Sequence, residues 1–281
     1  MHPSVSIVIP VYNEADQLAA CLQAIAAQKV QPLEVIVVDN NSTDNSAAIA
    51  ASFPFVKLLH EPRQGVVYAR SRGFDAARGD IIGRIDADTR LNPDWVERLQ
   101  KLFEDPALAA VSGAPHYFDF PFRRLADGMD AIFRQHLANC LGDMVFLWGA
   151  NMALRRSAWQ QVRSEVCFHN YQHEDFDLGI HLQRQGLRVN YDASLIAPTS
   201  SRRVDMRFPD FVRYTLMSPK TYKQHGLLRR LHMYPVLFVT WTFYVPARLL
   251  YRAYDPVTER FSLNQLFQAT AQRIDPTTNV V

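Results

Sequence analysis

Short apolar runs alternate with helix-like segments through the first half of this chain, and this alternation restricts the fold more than any other feature. The strand candidates are Val5–Val11, Leu33–Val38, Val56–His60 and Asp80–Asp86. The helix candidates between them are Glu14–Gln28, Asp44–Phe53 and Val66–Ala77. Runs that are apolar on both faces and separated by helices indicate a parallel sheet covered on both sides. We therefore predict an α/β fold.

Polar residues follow three of these strand candidates. They form the segments Pro10-Val11-Tyr12-Asn13-Glu14, Asp39-Asn40-Asn41 and Asp86-Ala87-Asp88. In open α/β sheets, ligands bind at the carboxyl ends of the strands. The three segments are therefore expected to meet at one edge of the sheet and to form a site there.

Asp86 and Asp88 are carboxylates separated by a single residue. Because alternate side chains of a strand point the same way, both can face a common site just past its end. Hard oxygen ligands of this kind suit Mg²⁺ or Mn²⁺, usually shared with the phosphates of a substrate. A solvated acidic turn after a strand is the alternative interpretation, because short motifs also occur by chance.

Other residues at these strand ends also have two interpretations. Asn13 and Glu14 open a helix, where free backbone N–H groups favour an anion such as phosphate, but an ordinary polar helix cap has the same sequence. Asp39 ends its strand, and its carboxylate can accept a hydrogen bond from a base or a sugar hydroxyl. Arg70 or Arg72 could reach a diphosphate, and their spacing alone does not decide which.

The second half of the chain is less regular. Further strands are expected at Ala109–Tyr117 and Arg188–Ile196, and helices at Leu125–Leu141 and Glu174–Gln185. Trp148 offers a flat apolar surface for a sugar ring, and Gly149 allows a close backbone approach. A strand that enters a turn would have a similar sequence.

Glu174 and Asp175 occupy a first helical turn. The helix dipole keeps a carboxylate ionised there, as a general base requires. Ordinary dipole compensation also explains such residues, since acidic first turns are common. His169 and His173 have no evident third ligand, so we do not interpret them as a zinc site.

Composition excludes some classes of function. The 281 residues include 30 Lys and Arg against 28 Asp and Glu, and the net charge of +2 is too small to indicate nucleic-acid binding. Cys21, Cys140 and Cys167 lie far apart without metal-ligand spacing, which fits a reducing compartment. No basic segment precedes an apolar run at the N-terminus, so we expect a cytoplasmic protein.

The composition shifts after Arg207, where aromatic and basic residues crowd together. We therefore divide the chain into a domain over 1–206 and a helical extension over 207–281. Met233–Ala247 carries no charge but is shorter than the roughly 20 residues that span a bilayer. Flanking arginines and aromatic residues allow residues 229–252 to contact a membrane surface. A helix packed on the domain, or a subunit interface, is the alternative.

Several ordered segments share a resemblance with one family. They are Val5-Ser6-Ile7-Val8-Ile9-Pro10-Val11-Tyr12-Asn13-Glu14, Val37-Val38-Asp39-Asn40-Asn41-Ser42-Thr43-Asp44, the residues from Gly65 to Arg70 followed by Ala77-Arg78-Gly79-Asp80 and Asp86-Ala87-Asp88, then Gly149-Ala150-Asn151, and Glu174-Asp175. In this order they resemble the family 2 glycosyltransferases, inverting enzymes of the GT-A fold. Ordered motifs over roughly the first two hundred residues are far more specific than any one of them.

The resemblance implies the nucleotide-diphospho-sugar transferase fold, with a mixed, mostly parallel sheet. It places the base and ribose of a nucleotide-diphosphate sugar near four residues of the first two strand ends: Pro10, Tyr12, Glu14 and Asp39. Asp88, assisted by Asp86, would hold Mn²⁺ or Mg²⁺ against the diphosphate. Arg70 would also contact the diphosphate, and Arg202 or Arg203 are further candidates.

The resemblance also implies the catalytic groups. Asp175 would take the proton from an acceptor hydroxyl, with Glu174 as the second candidate base. Direct displacement would invert the anomeric centre. Processive members carry a Gln-x-x-Arg-Trp motif, and none of the four tryptophans follows that pattern, so we expect the transfer of a single sugar.

The acceptor is expected to be a carbohydrate or a lipid-linked molecule, the latter because an aromatic, basic tail would suit the inner face of a membrane.

A phosphatase of the haloacid dehalogenase type would need its threonine two residues after the second Asp, whereas Thr89 follows Asp88 directly. A sugar nucleotidyltransferase would need a Gly-rich loop after the first strand. A non-catalytic nucleotide-sugar binding protein remains the alternative.

Overall fold

The computed structural model describes residues 2–128, 130, 132, 147–168 and 172–267 of the chain. The strands are β1 (Val5–Val11), β2 (Glu34–Asp39), β3 (Val56–His60), β4 (Ile81–Ile85), β5 (Leu108–Tyr117), β6 (Asn151–Arg155), β7 (Arg188–Thr199), β8 (Tyr254–Asp255) and β9 (Arg260–Phe261). The helices are α1 (Ala15–Ala26), α2 (Ser46–Ala51), α3 (Val66–Ala76), α4 (Trp95–Leu102), α5 (Arg156–Val162), α6 (Glu174–Arg184), α7 (Phe208–Thr215), α8 (Met217–Gln224) and α9 (Met233–Ala253). Short 3-10 helices occur at Arg202–Asp205, Leu228–His232 and Leu263–Phe267.

One seven-stranded sheet has the order β3-β2-β1-β4-β6-β5-β7. The pairs β1–β2, β2–β3, β1–β4 and β5–β7 are parallel. Strand β6 lies between β4 and β5 and is antiparallel to both. The predicted α/β fold with a mixed, mostly parallel sheet is therefore confirmed.

Helices cover both faces of the sheet because its central strands are apolar on both sides. On one face, Leu22 of α1 and Trp95 of α4 pack against alternate residues of β1 and β2. On the other face, Phe74 of α3 and Trp159 of α5 pack against Val8 and its neighbours. This layering fixes the carboxyl ends of β1, β2 and β4 along one edge, where the polar segments begin.

The strand positions expected from sequence agree closely with the structure. Strands β1 and β3 have the expected bounds, and the others differ by one to three residues at an end. The sequence interpretation did not include α4 or α5, and β6 was only one of two interpretations of its segment. The helix expected over Leu125–Leu141 is present at 123–128, but most of that range lies outside the described residues.

The C-terminal extension packs on the preceding domain through buried side chains. Tyr222 of α8 and Met233 of α9 form an apolar cluster with Ile180 of α6. The Tyr244 hydroxyl donates a hydrogen bond to the Met206 carbonyl at 2.6 Å, and the Arg248 Nε lies 3.1 Å from an Asp205 carboxylate oxygen. The division at residues 206 and 207 remains a prediction. Among the helices described, none combines the length and apolar character needed to cross a bilayer.

Candidate active site

A cavity of about 830 Å³ opens at the carboxyl edge of the sheet. The side chains predicted from sequence that line it are Pro10, Tyr12, Glu14, Asp86, Asp88, Trp148, Glu174 and Asp175. They come from the ends of β1 and β4, the segment before β6, and the start of α6. The topology thus gathers distant parts of the sequence around one space.

Arg202 joins two of the acidic residues at this edge. Its Nε lies 2.9 Å from a carboxylate oxygen of Asp88, and its Nη2 lies 2.5 Å from one of Glu14. Asp88 is only 4% exposed and also accepts a hydrogen bond from Thr199 at 3.4 Å. The arginine therefore supplies positive charge to two nearly buried carboxylates.

Arg84 contacts two further acidic residues, and its side chain is more buried than that of Arg202. Its Nη2 is 3.0 Å from an Asp86 oxygen and 3.2 Å from a Glu174 oxygen. Burial opposes a charged guanidinium, but the carboxylates of Asp86 and Glu174 raise the Arg84 pKa. A Cβ atom at Gly149 would lie 1.1 Å from Nη1 of Arg84. Position 149 must therefore lack a side chain for the guanidinium to pass.

Asp175 lies at the N-terminus of α6 with both carboxylate oxygens fixed. Oδ2 accepts a hydrogen bond from the Gly149 N–H at 2.9 Å, and Oδ1 accepts one from the Phe176 N–H at 2.9 Å. Burial raises the pKa of Asp175, while the Arg84 charge and these N–H groups oppose the increase. Burial and the neighbouring Asp175 also raise the pKa of Glu174. A raised carboxyl pKa makes these groups better proton acceptors.

Side chains of the loop after β2 and of the start of α2 accept hydrogen bonds from the backbone at the start of α1. The Glu14 N–H donates to Ser46 Oγ at 2.8 Å, and the Ala15 N–H donates to Asp44 Oδ2 at 3.0 Å. These two donors are engaged within the protein, which disfavours an anion site at this helix start. Glu14 is the N-cap residue, but its side chain makes no capping hydrogen bond, so the capping groups come from Asp44 and Ser46 instead. The Glu14 side chain still lines the cavity.

Asp39 is nearly buried at the end of β2 and does not appear among the residues that line the described cavity. Its Oδ1 accepts a hydrogen bond from the Ser42 N–H at 3.2 Å, and its Oδ2 lies 3.4 Å from His60 Nδ1. Its neighbour Asn40 does line the cavity. Asn40 also accepts a hydrogen bond from the Gly65 N–H at 2.7 Å, which fixes the turn before α3.

Arg70 is fully buried and lies away from the described lining of the cavity. Its Nη1 donates to the Glu174 carbonyl oxygen at 2.5 Å, and its guanidinium lies 5.8 Å from the ring centroids of Phe74 and Trp159. Burial lowers the Arg70 pKa. In this structure Arg70 supports the first turn of α6, and its predicted contact with a diphosphate has no support from its position.

The cavity continues from Asp175 into an apolar part built by the C-terminal extension. Its lining there includes Phe211, Tyr214, Met217, Met233, Leu237 and Phe243. Trp241 donates its indole N–H to Thr215 Oγ1 at 2.9 Å and so joins α9 to α7. The extension is therefore part of the site, a role that the sequence interpretation did not include.

Arg84 is the clearest site residue that the sequence interpretation missed. The signal was a charged residue inside an otherwise apolar strand, Ile81–Ile85. A buried arginine needs carboxylate partners, and Asp86 was the nearest one in sequence. Arg203, the other candidate at the 3-10 helix, lines the cavity and lies over the Tyr214 ring at 4.0 Å.

Comparisons with known proteins agree with this architecture. The family model described as Glycosyl transferase family 2 matches residues 6–163, more than half of the chain. The chain is 33% identical over 132 residues to the uncharacterized glycosyltransferase YibD of Escherichia coli (strain K12), covering 45% of this chain and 37% of that protein. It is 39% identical over 110 residues to undecaprenyl-phosphate 4-deoxy-4-formamido-L-arabinose transferase of Serratia proteamaculans (strain 568), covering 36% and 34%. The chain thus spans about a third of the length of these curated relatives.

A solved structure supports the fold over almost the whole chain. A mannosyltransferase from Pyrobaculum calidifontis, in complex with GDP-Man and Mn²⁺, superposes with a TM-score of 0.60 and 21% sequence identity. The superposition covers 94% of this chain and 78% of that one. Together with the family match, it shows that this chain belongs to glycosyl transferase family 2 and has the GT-A fold.

Proposed function

We propose that this protein transfers one sugar from a nucleotide-diphosphate sugar to an acceptor hydroxyl, with metal dependence and inversion of the anomeric centre. The observation that carries the proposal is that Asp86, Asp88 and Asp175 line one cavity. A glycosyl transfer needs groups that assist the departure of the diphosphate and a group that deprotonates the acceptor. Asp86 and Asp88 would serve the first purpose and Asp175 the second, within the same cavity.

The donor would lie along the carboxyl edge of the sheet. Pro10 and Tyr12 line the cavity beside the first strand end and offer a surface for the base and ribose. Asp39 is proposed as a ribose or base contact, with Asn40 as the neighbouring residue that reaches the cavity. The diphosphate would lie near Asp86 and Asp88, whose charges require a cation between them and the phosphates.

The acid pair fits a divalent cation of the Mg²⁺ or Mn²⁺ type. Both residues offer hard oxygen ligands, and Asp88 already holds a positive group, the Arg202 guanidinium. A divalent ion bound there would act as a Lewis acid for the departing diphosphate. If the metal ion displaced Arg202 from Asp88, the freed guanidinium could form an ion pair with the phosphates of the donor.

Asp175 is the proposed general base. It receives two N–H hydrogen bonds that fix its carboxylate, and its raised pKa increases its affinity for a proton. Attack by the deprotonated hydroxyl on the face opposite the diphosphate inverts the anomeric carbon. Glu174 is bound to Arg84, so we assign it to the positioning of the arginine and keep it as the second candidate base.

The apolar part of the cavity favours a lipid-linked acceptor over a free carbohydrate. Side chains of α7, α8 and α9 form this part, next to the proposed base. A sugar or phosphate head would lie at Asp175 while an apolar chain follows the extension. One relative is named as an undecaprenyl-phosphate transferase, and we propose the same chemical class of acceptor, used at the inner face of a membrane.

Two isosteric variants test the proposal. Asp88→Asn should lose the stabilisation that a nucleotide sugar and Mn²⁺ together give in thermal unfolding, because ligands stabilise the fold by mass action. Asp175→Asn should keep that stabilisation and lose transfer by about 10²- to 10⁴-fold, the usual contribution of a general base. In the wild-type protein, transfer should fall as the pH drops through the raised pKa of Asp175, because the protonated carboxyl cannot accept a proton.

Glu97→Gln, which removes an exposed carboxylate of α4, is the control and should change neither quantity. Donor binding without turnover in the wild type, across a panel of nucleotide sugars and acceptors, would favour a non-catalytic nucleotide-sugar binding protein. Full transfer by Asp175→Asn would exclude Asp175 as the base.

A further inference from the structure

Four side chains outside the proposed catalytic cavity converge on one point. They are Cys167 in the loop before α6, Asp177 and His181 of α6, and His225 at the end of α8. One ligand atom from each lies within 4.8 Å of all the others. Cys167 and His225 are distant in sequence, so the grouping is a product of the fold.

We propose that Cys167, Asp177, His181 and His225 form a structural zinc site, separate from the acid pair of the catalytic cavity. A thiolate, two imidazoles and a carboxylate are the ligand types that zinc binds in tetrahedral sites. The mixture of sulfur and nitrogen ligands disfavours Mg²⁺, which prefers oxygen. The proposal does not depend on the glycosyl transfer proposed above.

The distances between the ligand atoms suit a small tetrahedral ion. Asp177 Oδ1 lies 2.8 Å from His225 Nε2 and 3.4 Å from His181 Nε2. Cys167 Sγ lies 3.9 Å from His181 Nε2. Bonds of about 2.0 to 2.3 Å to zinc place tetrahedral ligands roughly 3.3 to 3.7 Å apart. The shortest of these three distances is about 0.5 Å below that range, the longest is about 0.2 Å above it, and no pair of the four ligand atoms is more than 4.8 Å apart.

The surrounding groups orient the ligands as they do around zinc. His181 Nδ1 lies 3.4 Å from a Glu165 carboxylate oxygen and makes no hydrogen bond within the described residues. A small rotation would let this N–H donate to Glu165, as the second N–H of a metal-bound histidine commonly donates to a carboxylate. Asp177 Oδ2 accepts a hydrogen bond from the Cys167 N–H at 2.9 Å, which leaves Oδ1 for the ion. The two imidazole rings are nearly perpendicular, at 82°, with centroids 5.0 Å apart.

One contact must change when the ion binds. Arg184 Nη1 lies 3.1 Å from His225 Nδ1, and Arg184 Nη2 donates to the His225 carbonyl at 2.7 Å. With zinc on Nε2, Nδ1 of His225 carries its proton, so Arg184 Nη1 would turn away and keep only the bond to the carbonyl. Without an ion, the Nε2–H of His225 donates to Asp177, and the four groups form a hydrogen-bonded cluster.

The site would join the extension to the helix that carries the proposed base. His225 belongs to the extension, and Asp177 lies two residues after Asp175 on α6. An ion between them fixes α8 against the helix whose first turn lines the cavity. Zinc would thereby position α6 without touching the substrate.

Cobalt substitution tests the proposal on the full chain. The purified protein is stripped with a chelator, dialysed and titrated with Co²⁺. We expect about one equivalent to bind, with intense visible bands of tetrahedral cobalt and a thiolate charge-transfer band, because structural sites of this type are four-coordinate. Zinc should be recovered at the same ratio by mass spectrometry of the unstripped protein, and stripping should lower the thermal unfolding midpoint by several degrees.

Variants assign the ligands. Cys167→Ser should remove the charge-transfer band, while Cys21→Ala, Cys140→Ala and Asp88→Asn should retain it. Glu165→Gln changes no ligand and should weaken Co²⁺ binding by about 10- to 100-fold, as loss of an orienting carboxylate does. Substoichiometric cobalt, a weak octahedral spectrum, or a charge-transfer band that survives in Cys167→Ser would each overturn the proposal. A wild-type protein that gives the expected cobalt spectrum but transfers no sugar would overturn the proposed function and leave this site standing.

Discussion

Arg84 shows how one residue can organise the acids of a site. Its guanidinium lies between Asp86, at the end of β4, and Glu174, at the start of α6. All three groups are partly or wholly removed from water. Removing one partner of a buried pair leaves an uncompensated charge and costs about 3 to 5 kcal/mol. Arg84 therefore ties the strand that carries the acid pair to the helix that carries the proposed base.

Gly149→Ala is expected to disrupt the ion pairs of Arg84 with Asp86 and Glu174. The added Cβ would meet Arg84 Nη1 at 1.1 Å and Cζ at 2.3 Å, so the guanidinium must leave its position. The free energy of unfolding should fall by about 3 kcal/mol or more, because Asp86 and Glu174 lose their buried counter-charge. Urea unfolding measures this loss.

Gly128→Ala is the matched control, because a Cβ there meets no atom of the described residues within 4 Å. It should change the free energy of unfolding by less than about 0.5 kcal/mol, as surface substitutions usually do. Equal stability of the two variants would show that the Arg84 pairs contribute little.

Site residues could be predicted from the sequence where a charged residue directly follows an apolar strand. They could not be predicted where the charged residue lies inside a strand or a helix. Asp86, Asp88 and Glu14 follow apolar strands, and the parallel topology brings them to the cavity as expected. Arg70 lies on a helix, where spacing does not show which face is buried, and the fold places its side chain in the interior. The pairing of Arg202 with Glu14 joins residues 188 positions apart, a contact that only the folded chain reveals.

At the scale of elements, α9 has two faces with different surroundings. Met233, Leu237 and Tyr244 are buried against the domain, so the packing interpretation is confirmed for this face. Phe238, Val245 and Leu249 are 69%, 51% and 54% exposed. Their spacing of seven and four residues places them on one stripe of the helix. The membrane contact proposed above would use this stripe.

Replacing the stripe tests lipid contact without disturbing the cavity. The triple variant Phe238→Ser, Val245→Ser and Leu249→Ser should lose flotation with anionic liposomes by more than about tenfold, because each buried apolar side chain contributes about 1.5 to 3 kcal/mol. These residues are not among those that line the described cavity, so donor binding should be unchanged.

The matched control replaces three exposed apolar residues elsewhere: Leu33→Ser, Phe55→Ser and Val257→Ser. This protein should float as the wild type does. Flotation that is equal in all three proteins, or absent from the wild type, would contradict lipid contact by α9.

Strand β6 shows why some elements escaped prediction. It is antiparallel to β4 and β5, so it breaks the simple alternation of parallel strands with helices. Its residues, Asn151–Arg155, belong to a segment whose sequence suits either a sugar contact or a strand that enters a turn. A local pattern cannot distinguish an inserted strand from a turn, because the partners of β6 come from distant parts of the sequence.

At the scale of the molecule, Arg202 links the first helix to the end of the sheet and couples two ligands. A bare cation at Asp88 must displace a guanidinium that then keeps only Glu14 as its partner, whereas a diphosphate supplies a new anion to replace Asp88. We expect Mn²⁺ to bind about 5- to 150-fold more tightly in the presence of a nucleoside diphosphate, the usual range of such coupling. Equilibrium dialysis with UDP and with GDP measures the ratio.

Arg202→Gln should bind bare Mn²⁺ more tightly than the wild type and lose most of the coupling. Arg203→Gln removes a neighbouring arginine whose guanidinium lies over Tyr214, and it should leave the affinity for bare Mn²⁺ unchanged. Coupling that persists in Arg202→Gln would assign the effect to other groups.

The general architecture followed from the sequence because long apolar strands and intervening helices dictate a covered parallel sheet. The function of the extension did not, because an uncharged aromatic segment suits a membrane surface and a protein interior equally. The structure resolves that ambiguity for one face of α9 only, where Tyr244 stacks on Phe211 with ring centroids 3.8 Å apart.

In the ligand-free protein, the guanidinium groups of Arg84 and Arg202 serve as counter-ions for the acidic residues of the site. Each guanidinium neutralises acids that would otherwise recruit whatever cation is abundant nearby. The two arginines offset part of the negative charge at the strand ends, so a ligand that carries both a cation and an anion can replace these internal pairs more readily than a cation alone. We therefore expect the empty site to have a low affinity for free cations.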